Sequence, residues 1–256
     1  MLRASLVTFV TFLYILVLGT PVVIYARVSG DGRAVYRVGL WGARMALWLA
    51  GVRLDVRGLE KIPGEGAKVF MSYHQSNCDP PALLVVLPRV RCIAKREFFR
   101  VPILGAGMRV CRFIPLERQN RERAIAAVEQ AVDALKAGHS FLAFPEGTRS
   151  PDGRLQPFKK GVFVMAIKAG VPIVPVSISG ATAIMPKGKF AIRPGRVRIT
   201  VHEPIATAGL SLDDRERLSH ITRQSVLSGL AAEERPASGD FTWEGALGRS
   251  EGLADT

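Results

Sequence analysis

Val69-Phe70-Met71, followed by Ser72-Tyr73-His74-Gln75-Ser76-Asn77-Cys78-Asp79-Pro80-Pro81, is the stretch from which the fold can be read. Three consecutive apolar residues predict a strand buried on both faces. Aspartate followed by two prolines predicts a helix start, because the first turn needs no backbone donor there and proline's fixed φ suits it. A buried strand passing into a helix through a short polar loop is the repeating unit of an α/β sheet with parallel pairs.

The pattern extends in both directions. Residues 52–56 alternate as a half-exposed strand should, and residues 141–144 form another buried run. Further strands are expected at 90–94, 173–178 and 197–201, and helices at 80–86, 121–136, 160–168 and 212–230. The expected fold is therefore α/β, a mixed, largely parallel sheet flanked by helices, preceded by an N-terminal membrane-associated helical segment.

That segment is SLVTFVTFLYILVLGTPVVIY, residues 5–25, between Arg3 and Arg27. It has the ~20 apolar residues that cross a bilayer and is longer than the ~7–15-residue core of a signal peptide. Arg27, Arg33, Arg37, Arg44, Arg53 and Arg57 follow with few acids, which predicts a cytoplasmic position for the rest of the chain. Residues 39–51 read either as an interfacial helix with Trp41 and Trp48 at headgroup depth or as a helix packed on the core. From residue 231 the sequence is polar, acidic and aperiodic, and disorder is expected. The predicted organisation is membrane-anchoring helices over 1–51, a catalytic α/β domain over 52–230 and an acidic tail over 231–256.

The 35 lysines and arginines against 22 acids give a formal charge of +13, which suits an anionic partner. The chain lacks an aromatic RNA-binding signature or zinc finger, so no nucleic-acid partner is expected. Cys78, Cys92 and Cys111 show no C-x-x-C spacing, which argues against both a disulfide framework and a metal site and fits a reducing compartment.

Three groups of residues carry chemistry. His74 sits on a loop at a strand end, where neutral imidazole can take a proton from an alcohol, and Asp79 can fold back to orient it. The plainer alternatives are a structural histidine and a helix N-cap aspartate. Phe144-Pro145-Glu146-Gly147-Thr148-Arg149-Ser150 also follows a buried strand and offers donors for phosphate or substrate oxygens, or simply a turn with a surface ion pair. Lys95 and Arg118 follow apolar runs and would lie at the same sheet edge if the strands are parallel; the alternative is that both are solvated surface charges.

Taken together these residues resemble the lysophospholipid and glycerolphosphate acyltransferase family. The shared features are a His and an Asp separated by four residues (His74, Asp79), an arginine after an apolar strand (Arg118 in Phe113-Ile114-Pro115-Leu116-Glu117-Arg118), the complete string at residues 144–150, and Val171-Pro172-Ile173-Val174-Pro175-Val176. The likeness runs from about residue 54 to residue 201. It departs at Tyr73, where many members have asparagine, and at Pro115 and Glu117.

The resemblance implies that His74 is the general base and Asp79 its orienting partner. It also implies that Lys95, Arg118 and Arg149 hold an acceptor phosphate while Glu146, Gly147 and Thr148 shape its pocket. The implied reaction moves a fatty acyl group from acyl-CoA or acyl carrier protein to lysophosphatidic acid, with no metal or bound cofactor, at the cytoplasmic face of the inner membrane among its lipids. Lyso-ornithine lipid or glycerol 3-phosphate is the alternative acceptor.

Overall fold

The computed structural model describes residues 1–117 and 119–236. The chain opens with α1 (Leu2–Tyr14), a π-helical turn (Ile15–Gly19) and α2 (Thr20–Ser29), which run on as one helix, Leu2–Ser29. That helix is long and apolar enough to cross a membrane. It ends where Gly30 takes φ 73°, and Asp31 then caps α3 (Gly32–Ala50) by accepting the Arg33 N–H at 2.8 Å.

The α/β part runs β1 (Val52–Arg57), β2 (Val69–Ser72), α4 (Asp79–Val86), β3 (Arg91–Lys95), α5 (Leu104–Val110), β4 (Ile114–Leu116) and α6 (Arg121–Lys136). It continues with β5 (Phe141–Ala143), α7 (Gly161–Ala169), β6 (Ile173–Ser179), α8 (Ala181–Ile184), β7 (Gly195–Val201) and α9 (Arg215–Ser228). The strands form one seven-stranded sheet in the order β1-β7-β6-β2-β5-β3-β4. Pairing is parallel except between β6 and β7, so the sheet is mixed and largely parallel.

Alternation along the central strands divides the core between the two faces. Phe70 and Leu142 belong to one apolar cluster with Leu83 of α4 and Leu47 of α3. Val69, Met71, Phe141 and Ala143 belong to the other, with Ala131 and Leu135 of α6 and Phe163 of α7. The two faces of α3 lie in different environments: Leu47 is buried on the core, whereas Trp41 and Trp48 are 65% and 76% exposed.

The N-terminal helix lies along α3 and touches the domain at both ends. Near its start, the Arg3 guanidinium donates to Ala50 O at 3.3 Å; near its end, Val23 and Ala26 pack with Ala106 and Val110 of α5. Midway, Tyr14 donates to Val38 O at 2.8 Å, with its ring against Gly42.

Three details differ from the sequence reading. The short α5 and the 3-10 segment Arg96–Arg100 before it lack a full period of apolar spacing and were not anticipated. The last helix is shorter than 212–230, because a 3-10 turn at Leu212–Asp214, capped by Ser211, precedes α9. Residues 231–236 fold back: Glu234 is buried, its Oε1 accepts the Gly180 N–H at 2.7 Å, and its carbonyl accepts the Leu155 N–H at 2.9 Å. The remainder of the tail, 237–256, lies outside the described residues.

α5 crosses the 3-10 segment at Gly105, where an added Cβ would sit 2.2 Å from Phe99 O. Backbone cannot yield as a flexible side chain can, so Gly105→Ala is expected to lower stability by about 1–3 kcal/mol. Thermal unfolding in detergent measures it; an unchanged transition would mean the crossing is loose.

Candidate active site

β2, β3, β4, β5 and β6 run in the same direction, so their C-terminal ends share one edge of the sheet. His74 follows β2, Glu146 follows β5, and Lys95 ends β3. The C-terminal strand edge of an open α/β sheet is where polar loops from neighbouring parallel strands converge.

Asp79 heads α4 but does not act as a simple cap. Its carboxylate turns back, and Oδ2 accepts from His74 Nδ1 at 2.8 Å and from the backbone N–H groups of Gln75 and Ser76, each at 2.7 Å. Asp79 is fully buried and its Oδ1 has no partner. Burial pushes its carboxyl above the ordinary value, against the pull of the His74 ring and the two amides. Since the carboxylate accepts, His74 Nδ1 carries the proton and Nε2 is left as the acceptor. The ring is partly exposed and stacks on Phe144, with centroids 4.2 Å apart.

The second loop is joined to the first through backbone: the Ser150 N–H donates to His74 O at 2.7 Å. Within it, Gly147 takes φ 74° while its N–H donates to Phe144 O at 3.0 Å, a turn that a side chain would strain. Glu146 is buried; Oε1 accepts the Gln156 N–H at 3.1 Å and Oε2 has no partner. Burial first, and then the charge of Asp79, push its carboxyl up to about 8, opposed by the backbone N–H groups of Gln156 and His74. Thr148 is exposed and Arg149 half-buried; the Arg149 carbonyl accepts from Lys187 Nζ at 2.7 Å.

Lys95 is exposed and pairs with Glu97 at 3.4 Å, one strand beyond β5. Arg118 lies outside the described residues, although the end of β4 that leads to it is at the same edge. Glu117 binds Arg96 and Arg123, each at 2.5 Å. His202 Nε2 lies 2.7 Å from Ser177 Oγ, whose proton goes to Val226 O at 2.6 Å, so the ring donates to the serine and the serine ties α9 to the sheet.

Two supports of the His74 loop were absent from the sequence reading. Gln75 is buried, its Nε2 donates to Ile178 O at 2.8 Å, and its Oε1 accepts the Thr182 N–H at 3.2 Å. Tyr73 is buried as well and donates its hydroxyl to Gly153 O. The only available signal was a glutamine and a tyrosine in a loop flanked by buried segments, where each needs a partner.

Below about pH 4.5, Glu146 is protonated whether the chain is folded or unfolded. Between its ordinary value of 4.5 and about 8 the unfolded chain gives up the proton while the folded one keeps it, so this group lowers stability as pH rises through that window. Glu146→Gln, which mimics the neutral acid, should raise the unfolding temperature more at pH 8 than at pH 5; an equal change at both would show that Glu146 ionises freely.

Several known proteins are similar to this chain. A model of the family described as "Acyltransferase" matches residues 53–179. The chain is 39% identical over 155 residues to a chloroplastic 1-acyl-sn-glycerol-3-phosphate acyltransferase of Brassica napus, a match covering 60% of this chain but 45% of that one. It is 32% identical to the alpha form of that enzyme from Mus musculus, covering 84% of this chain and 76% of the other. The crystal structure of a 1-acyl-sn-glycerophosphate acyltransferase from Thermotoga maritima superposes with a TM-score of 0.79 at 31% identity, over 89% of this chain and 93% of that one.

Proposed function

The chain belongs to the acyltransferase family, and from that premise we propose that it transfers a fatty acyl group from an acyl thioester to the sn-2 hydroxyl of 1-acyl-glycerol 3-phosphate, forming phosphatidic acid. The observation that carries the mechanism is the 2.8 Å bond from His74 Nδ1 to a buried carboxylate oxygen, which leaves Nε2 free to accept a proton.

In this reading Nε2 takes the proton of the acceptor hydroxyl as its oxygen attacks the thioester carbonyl. A C–O bond forms, the C–S bond breaks, and the imidazolium returns the proton to the departing thiolate, so ester and free thiol leave with His74 neutral. A thioester is already activated, so positioning and proton transfer are what the protein supplies. Asp79 holds the tautomer and offsets the charge the ring gains. Lys95, Arg118 and Arg149 hold the acceptor phosphate, and Glu146, Gly147 and Thr148 shape its pocket. No bound cofactor enters the scheme; acyl-CoA or acyl carrier protein brings the acyl group.

The N-terminal helix is read as lying on the membrane. A helix of 28 residues is about 42 Å long, and one that touches the same domain near both ends runs along the domain and not away from it. Its outward residues, among them Phe9, Phe12, Leu16 and Val17, are exposed and apolar, as is Trp41 beside them on α3. The surrounding arginines favour anionic lipid on the cytoplasmic face of the inner membrane.

The test is transfer of labelled acyl groups from acyl-CoA and from acyl carrier protein in liposomes, with lysophosphatidic acid, lyso-ornithine lipid and glycerol 3-phosphate as acceptors. Wild type should yield phosphatidic acid, and His74→Ala should lose at least about 10²-fold in rate. Turnover unchanged in His74→Ala would sink the mechanism, and preference for another acceptor would replace lysophosphatidic acid.

A further inference from the structure

A groove of about 750 Å³ lies along the free edge of the sheet beside β4, and the scheme above makes no use of it. One wall is α5 with the 3-10 segment Arg96–Arg100, and the other is α6. Arg91, Arg96, Arg100, Arg109 and Arg112 line it, against one carboxylate, Asp133. Arg96 is bound to Glu117 and Arg109 donates to Phe99 O at 2.6 Å. Neither Arg91 nor Arg112 forms an ion pair among the described residues. Burial, then the like charges of Arg112 and Arg89, pull Arg91 below its ordinary pKa, as expected where cations face one another with no anion between them.

Arg112 stands out on backbone grounds. It follows Cys111, the residue that caps the C-terminus of α5, with φ 59°, and its N–H bonds to Arg109 O at 2.9 Å. A left-handed residue after a helix is ordinarily glycine, so an arginine here carries strain that glycine avoids, which points to use of the side chain.

We propose that this groove binds the nucleotide end of the thioester donor, a 3′-phosphorylated adenosine diphosphate bearing a pantetheine arm, as in acyl-CoA. The inference rests on the thioester-dependent transfer proposed above. Guanidinium groups match the phosphates in charge and geometry, and Phe113, partly buried in the lining, offers apolar surface for the base. The volume falls within the ~300–1,000 Å³ typical of small-molecule sites. An acidic carrier protein would present a single phosphodiester and a convex surface, which suits an open patch better than a groove.

Reach also agrees. Arg96 brings the groove to the C-terminal end of β3, two strand spacings, ~10 Å, from β2 and the His74 loop, while Arg91, which starts β3, and Arg112, which precedes β4, line its far end. A nucleotide held there directs its extended arm past Lys95 toward Nε2.

The experiment is calorimetric binding of CoA, 3′-dephospho-CoA and pantetheine to the full chain in detergent. Wild type should bind them in that order of falling affinity. Arg112→Gly, which suits the backbone and should keep or raise the unfolding temperature, should weaken CoA by about 10- to 100-fold and narrow its advantage over pantetheine. Arg91→Gln should act the same way. Equal affinity of wild type for CoA and pantetheine, or an unchanged affinity for CoA in both variants, would overturn the site. So would holo-acyl carrier protein binding that is lost in Arg112→Gly while CoA does not bind. No turnover is read, so a chain that holds CoA here yet transfers no acyl group would overturn the proposed reaction and support the site.

Discussion

One carboxylate oxygen, Asp79 Oδ2, takes three donors at 2.7–2.8 Å: the His74 ring and the N–H groups of Gln75 and Ser76. A fully buried carboxylate is tolerated only when such donors replace its water. The same three bonds fold the loop between β2 and α4, set the imidazole tautomer and aim Nε2 outward. Loop conformation and proton chemistry are therefore one constraint. The surrounding structure reinforces it from several directions: Gln75 anchors to β6, Tyr73 to Gly153, and the His74 carbonyl to Ser150.

The second loop is positioned by a different device. Its carboxyl, Glu146, lies beside Asp79 in the same buried layer, and each keeps one oxygen without a partner. Burial raises both, and the charge of Asp79 raises Glu146 further. The difference is that Asp79 has a ring donor and two short amide bonds, whereas Glu146 has weaker compensation, so the two carboxyls are suited to different protonation states. Glu234 adds remote support: it binds the end of β6 and the Leu155 N–H, one residue before the Gln156 N–H that Glu146 accepts.

The strand pattern, the α/β class and the His74–Asp79 spacing were legible because each rests on local periodicity or on a short motif. Parallel pairing of β2 with β5 and of β3 with β4 follows from the same helix–strand alternation. What could not be read depended on distant partners. Asp79 before two prolines gave the same signal as a cap, and only the folded loop shows its oxygen turned backward. Gln75 finds its acceptor 103 positions away, and Glu234 closes onto Gly180 from a stretch whose composition signals disorder. The α3 region was ambiguous in sequence because the helix carries two environments, with Leu47 inside and Trp48 outside.

The edges of the sheet carry a further consequence. β4 has three residues, and Pro115 at its centre lacks a backbone donor. At the opposite edge, β1 carries Arg53, Asp55 and Arg57, with Asp55 in reach of both Arg57 and Arg198. Neither rim offers a long, apolar, fully armed ladder for another strand. If the chain is held in the plane of a membrane, as proposed above, its copies collide far more often than in bulk solvent, and blunted rims keep those encounters from growing into cross-chain sheets.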